Sequence, residues 1–241
     1  MEKILILCRA VPEESKKYFH TVCVAGVTDK GEFRRIYPVP FKRFQQRAGI
    51  PFRKKEWIEA TVLPPDRGDK RVESRKLDFA TVKVLRRADD NEVRDMVAKC
   101  LSPSVKSIES RGASLGFIKP RIVDCECIIK STEELDRSQV DLEGRLAGKI
   151  KLDQESRYKF YCQERKGCCE GRLHNIEIRD WEANELYRNV IRNEKKHSVI
   201  KHKVRKKWLD WMIDRDMYFM MGTHHVFKTW MIVSVLYLRK P

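Results

Sequence analysis

Apolar and polar positions along the first part of the chain fall into short blocks. Residues 3–8 form a continuous apolar run, and 21–27 form a second, rich in β-branched side chains; both predict strands. Asp29, Lys30 and Gly31 supply a hairpin turn in which Gly31 can take a positive φ. Residues 32–38 then resume as a strand, with Phe33, Arg35 and Tyr37 on one face and Arg34 and Ile36 on the other. Two further strands are expected at 57–63 and 79–85, separated by the charged stretch 64–76, which reads as a long exposed loop. Strands this short and this closely spaced predict a small barrel or sandwich.

From Asp89 the period lengthens. Val93, Met96, Val97 and Leu101 recur at helical spacing over 91–101, with Asp90 as the expected N-cap, and a second short helix is expected over 103–111. A strand follows over 122–130, and the boundary between two domains is placed near residue 120, giving 1–120 and 121–241. The second domain carries a strand at 158–162, a cysteine-rich knuckle and two helical patterns. In the first pattern Asp180 caps a face of Ala183, Leu186, Tyr187, Val190 and Ile191; in the second, Val204, Trp208, Trp211 and Met212 share a face. Residues 219–221 and 229–238 read as a closing hairpin.

Charge changes the picture most. Over 241 residues, 51 Lys and Arg stand against 35 Asp and Glu, a net +16 that points to a polyanionic partner. With 41% hydrophobic residues the chain can bury a core, which excludes wholesale disorder. No stretch approaches the roughly 18 to 20 apolar residues of a membrane span. The apolar run after Met1 is too short for a signal-peptide core. A soluble, cytoplasmic protein is therefore expected, with a protein partner as a further option.

The segment TVCVAGVTDKGEFRRIYPV at 21–39 combines Cys-x-Ala-Gly, a turn, and Gly-x-aromatic-x-Arg before a proline. It resembles the opening of prokaryotic dual OB-containing proteins, in which two OB-like barrels lie in one chain. ASLGFIKP at 113–120 and FMMGTHHVFKTWMIVSVLYL at 219–238 resemble stretches of uncharacterised prokaryotic proteins with such an N-terminus. The resemblance implies a pair of nucleic-acid-binding barrels, from a defence or mobile-element context, and no catalytic residues. The fold expected is thus α+β: two small OB-like β-barrels, bridging helices and a basic helical insertion in the second.

Two basic zones suit DNA or RNA. Between Arg188 and Lys207, nine Lys and Arg face Glu194 alone, read as a basic helix carrying Lys195, Lys196, Lys201, Lys203, Arg205, Lys206 and Lys207. Such a surface binds phosphates regardless of base sequence and weakens steeply with salt. On the first barrel, Arg34, Arg35 and Tyr37 lie among further cations and aromatics, the mixture that tracks phosphates and stacks bases. Trp208 and Trp211 read more readily as core than as stacking groups.

Of eight cysteines, Cys162, Cys168 and Cys169 with His174 make a full set for tetrahedral zinc. Cys125 and Cys127 could add ligands, which would also permit an iron–sulfur cluster. Without metal, the group is a reduced thiol cluster in a loop. The rival reading is a metal-dependent enzyme acting on nucleic acid, a nuclease or a base-modifying enzyme, centred on His174, Asp180 and Glu182. Capping and the helix dipole explain Asp180 and Glu182 without chemistry. Asp124 and Glu126 with Lys130, the Asp210, Asp214 and Asp216 group, and His224 with His225 are weaker candidates. No phosphate-binding glycine loop, nucleophile elbow or dinucleotide fingerprint is present in the sequence.

Overall fold

In the computed structural model, which describes residues 1–15, 18–45, 52–129, 154–163, 171–224 and 228–240, the chain is α+β and mostly strands. The first half runs β1 (Glu2–Arg9), β2 (Glu13–Ser15), β3 (Phe19–Thr28), β4 (Phe33–Pro40), one turn of helix α1 (Lys42–Gln45), β5 (Glu56–Ala60), β6 (Val62–Leu63), β7 (Ser74–Leu77) and β8 (Lys83–Arg87). β1 pairs antiparallel with β3 and β5, β3 pairs antiparallel with β4, and β4 runs parallel to β7. β7 pairs with β6, and Thr61 alone separates β6 from β5. β5 pairs at one end of this path and β6 at the other, and the sheet curls into a half-barrel. β2 and β8 add to β3 and β5.

α2 (Asp90–Lys99), β9 (Leu101–Ser102) and α3 (Val105–Ser110) lead into β10 (Leu115–Ile118), β11 (Arg121–Ile129), β12 (Gln154–Tyr161) and β13 (His174–Glu177). Then come α4 (Trp181–Asn193), α5 (His197–Arg205), β14 (Asp216–Thr223) and β15 (Trp230–Leu238). β11, β12 and β13 pair antiparallel in that order. Ile178, one residue past β13, bridges in parallel to Ile232 of β15, which pairs with β14, which pairs with β10. Lys119 and Pro120 alone separate β10 from β11, so the chain passes directly from one of these sheets to the other.

Three apolar layers hold the two halves. Ile4 and Ile6 of β1 point into the first with Val22, Val24, Ile36 and Ile58. Leu5 and Leu7 point the other way, into a middle layer shared with α2 and with Phe117, Met220, Val233 and Leu236 of the second half. β14 alternates likewise, sending Phe219 and Met221 into the third layer and Tyr218 and Met220 into the middle one. A strand buried on both faces reads as a continuous apolar run, which is what residues 4–8 and 217–221 show. Each fully buried Leu or Ile contributes about 1.5 to 3 kcal/mol. Gly26 lies so close to β1 that a Cβ would stand 2.1 Å from the Leu5 carbonyl oxygen.

Several expectations change. Asp89, not Asp90, caps α2, its carboxylate accepting from the Glu92 N–H. Residues 79–81 form a 3-10 turn, and the strand begins only at Lys83. The stretch expected to be loop contains β7, and β10 and β13 appear where no strand was expected. Asp180 caps α4 as expected, and Gly31 takes a φ of 80°. Among the described residues no helix is long and apolar enough to cross a membrane.

Candidate functional site

Where the two halves meet, the surface opens into a cleft of about 330 Å³ between Arg9, Arg53 and Lys54 of the first half and Glu182 and Tyr237 of the second. It shares Lys55 and Arg87 with a wider depression of about 630 Å³ that reaches Arg239 and Lys240. The turn before β5 builds the floor. Lys55 sits at a φ of 67°, in the left-handed region that costs a non-glycine residue energy. Its N–H donates to the Ile6 carbonyl and its carbonyl accepts from the Ala88 N–H, both at 2.7 Å, which holds that conformation. Lys54 is thereby turned inward, while Arg53 stays exposed.

The Lys54 ammonium lies 2.9 Å from Asp180 and 3.4 Å from Glu182. Burial pushes its pKa down, but the two carboxylates outweigh that and raise it, so the group stays charged. Asp180 also accepts from the Val235 and Glu182 N–H groups, at 2.7 Å each. One carboxylate thus caps a helix, ties down β15 and neutralises a lysine from the other half. Around this floor, Arg9, Arg53, Arg87, Arg239 and Lys240 form no salt bridge among the described residues, although the charges of Glu182 and Asp180 act on Arg9 and that of Asp90 on Arg239. Arg9 Nε, buried, has no hydrogen-bond partner among them either, and its guanidinium lies 5.6 Å from the Phe44 ring. Burial, the largest influence, lowers the Arg9 pKa. Lys55 pairs with Asp90 at 2.8 Å.

The residues expected on an open first-barrel face are placed otherwise. Arg34 is held by Glu2 at 2.7 Å and Glu32 at 2.6 Å. Arg35 is only 2% exposed: its guanidinium donates to the Ser114 carbonyl at 2.8 Å, and Ser114 Oγ donates to the buried Glu73 carboxylate at 2.8 Å. Tyr37 is half-buried and accepts from the Thr21 hydroxyl. The Phe33–Arg35–Tyr37 face therefore meets the second half of the chain, with Phe33 5.6 Å from Phe117. A strand flanked by two cores leaves its arginines little open solvent.

The basic run from Arg188 to Lys207 is not one helix. It spans the end of α4, a break at 194–196, α5 and a π-helical turn (Lys206–Trp211). Lys203 pairs with Glu194, and Arg205 with Asp124 at 3.0 Å. Lys195, Lys196, Lys201 and Lys206 are exposed and have no carboxylate partner among the described residues. Lys207 lies over the Trp211 ring. Trp208 is core, whereas Trp211 is 37% exposed.

Of the metal-ligand set, Cys162 Sγ and His174 Nε2 stand 3.4 Å apart, and the imidazole stacks on Phe160 at 4.9 Å. Burial, then Arg172, lowers the His174 pKa and favours the neutral ring. Cys168 and Cys169 lie outside the described residues. Cys125 and Cys127 face the third apolar layer. Cys125 pairs with Tyr158, four residues from Cys162, or roughly 13 Å along a strand, so these two thiols do not converge on the Cys162–His174 pair. Asp180 and Glu182 are engaged by Lys54, and no group of three or more His, Cys, Asp or Glu placed to hold a metal occurs among the described residues.

The seam cleft was not visible as a unit in the sequence, because its cations come from residues 9, 53–55, 87 and 239–240. Against protein-family models, residues 1–102 match a domain of unknown function (DUF8758), and residues 101–241 match a second domain of unknown function (DUF8757). No curated protein matches the chain.

Proposed function

The chain belongs to the DUF8757 family, and we propose that it binds nucleic acid, DNA or RNA, through phosphate contacts along the seam between its halves. One observation carries this reading: Arg9, Arg53, Arg87, Arg239 and Lys240, which form no salt bridge among the described residues, line two adjoining pockets beside Lys54, where they outnumber the acidic lining of Asp89, Asp90 and Glu182. Cations in excess over carboxylates on one surface repel one another, and a polyanion relieves that repulsion while releasing its counterions.

The pairing order supports the two-barrel expectation. Each half has five principal strands, and in each the third strand runs parallel to the last. That is the arrangement of a five-stranded Greek-key barrel of the OB kind. The exposed lysines around α5 supply a second contact surface.

A structural zinc belongs to the same reading. Two ligands of one tetrahedral zinc stand about 3.6 Å apart, from bond lengths near 2.3 Å for sulfur and 2.0 to 2.1 Å for nitrogen; the Cys162–His174 separation is 3.4 Å. Cys168 and Cys169 are the remaining ligands expected. Metal analysis of protein purified without chelator should find about one zinc per chain, lost in Cys162→Ser.

Fluorescence anisotropy against labelled DNA and RNA across a salt series tests the main reading. Arg9→Gln, Arg53→Gln and Arg87→Gln combined should reduce the log–log salt slope by about two to three, near 0.7 to 0.9 for each phosphate no longer neutralised. Lys195, Lys196, Lys201 and Lys206 changed to Gln should give a smaller, separable reduction. Absence of binding tighter than micromolar at low salt would overturn the proposal.

A further inference from the structure

Trp211 departs from the apolar stripe in which its spacing placed it. Val204, Trp208 and Met212 point into the third layer, but α5 widens into the π-helical turn (Lys206–Trp211), and the wider turn carries the Trp211 indole to the surface. Such turns recur at functional sites. Two cations lie on this one ring: Lys207 Nζ is 3.0 Å and the Arg215 guanidinium 4.3 Å from its centroid. Neither has a carboxylate partner among the described residues. Burial and then the neighbouring Arg215 lower the Lys207 pKa. The far edge of the indole meets Tyr237 at 5.7 Å, and Tyr237 lines the seam cleft. Tyr237 thus stands between the indole and the cleft that Arg9 and Arg53 line.

We infer that Lys207, Trp211 and Arg215 form a nucleotide clamp in which an unpaired base stacks on the indole and the two cations close on its flanking phosphates. The inference rests on the nucleic-acid reading and sharpens it: the ligand is single-stranded at this point. In a duplex both faces of each base are covered by its neighbours, so only a strand with a free base can supply the stack. An indole bare of anions recruits cations to its face, and these can swing from ring to phosphate when a base arrives.

The test compares wild type, Trp211→Ala and Trp211→Phe on a labelled single-stranded 20-mer and on its duplex, by anisotropy at one salt concentration. Trp211→Ala should weaken the single strand roughly tenfold, the loss of one stacked base, and change duplex affinity less than twofold. Trp211→Phe should stay within about threefold of wild type, because a phenyl ring still stacks. Binding of the single strand should also quench tryptophan emission in wild type but not in Trp211→Phe, a readout that does not need the alanine variant to fold. Unchanged single-strand affinity in Trp211→Ala, or equal losses on both ligands, would overturn the clamp and leave the seam groove standing. A wild type that binds neither ligand would overturn both. Anionic vesicles that displace the oligonucleotide from wild type but not from Trp211→Ala would also overturn the clamp, assigning the indole to a membrane surface.

Discussion

Lys54 is an ammonium group taken out of water and kept charged by carboxylates from the other half of the chain. Removing one partner of such a pair costs more than the pair contributes, because the survivor stays buried and uncompensated. Asp180→Ala should therefore destabilise the fold by about 3 to 5 kcal/mol in chemical denaturation. Lys54→Met combined with Asp180→Asn, which retains a helix cap, should recover most of that loss. A raised lysine pKa stabilises fully at neutral pH and loses its contribution only as pH climbs through the raised value, so this pair adds no slope near pH 7. Asp69 behaves oppositely. Burial would push its carboxyl up, but the hydrogen bonds and charge of Arg71 bring it down to about 2. Its contribution is present above the unfolded value of about 3.9 and fades as pH falls through the folded one. Urea titrations should show Asp69→Asn with a flatter loss of stability between about pH 4 and pH 2 than wild type.

At the scale of elements, the packing of β3 on β1 leaves Gly26 no room for a side chain. Gly26→Ala should cost about 3 kcal/mol, the upper end of overpacking penalties, read by thermal or urea unfolding. How much of this architecture could be read beforehand depends on burial. β1, β3, β14 and β15 were legible because most positions on both faces are buried, which leaves long, largely apolar runs. β7 was not: in Ser-Arg-Lys-Leu only Ser74 and Leu77 are buried, so neither a run nor an alternation survives. Yet β7 supplies the parallel pairing that joins β4 to β6 in the first sheet. The site divides in the same way. The lysines around α5 were legible because they are contiguous, whereas the seam groove gathers residues that only the finished topology makes neighbours. The ion pairs of Arg34 and the burial of Arg35 were likewise invisible, since both depend on what lies opposite a strand.

For the whole molecule, the middle apolar layer means that neither half carries a complete exterior. The two family matches meet at residues 101–102, but cutting there would expose Leu5, Leu7 and Trp57 on one side and Phe117, Met220 and Leu236 on the other. Calorimetry of the intact chain should show one cooperative transition. Fragments 1–102 and 101–241 produced separately should be poorly soluble and should gain structure when mixed. The same layer governs how the protein is made. Leu5 and Leu7 leave the ribosome more than two hundred residues before β15, whose Val233 carbonyl accepts from the Cys8 thiol at 3.1 Å. At roughly 5 to 20 residues per second, one face of the first strand waits on the order of 10 to 50 seconds for its partner. During that interval the nascent chain carries an uncovered β-forming segment with only Glu2, Lys3 and Arg9 as charged gatekeepers, and its yield in the cell should rise with the supply of ribosome-associated chaperones.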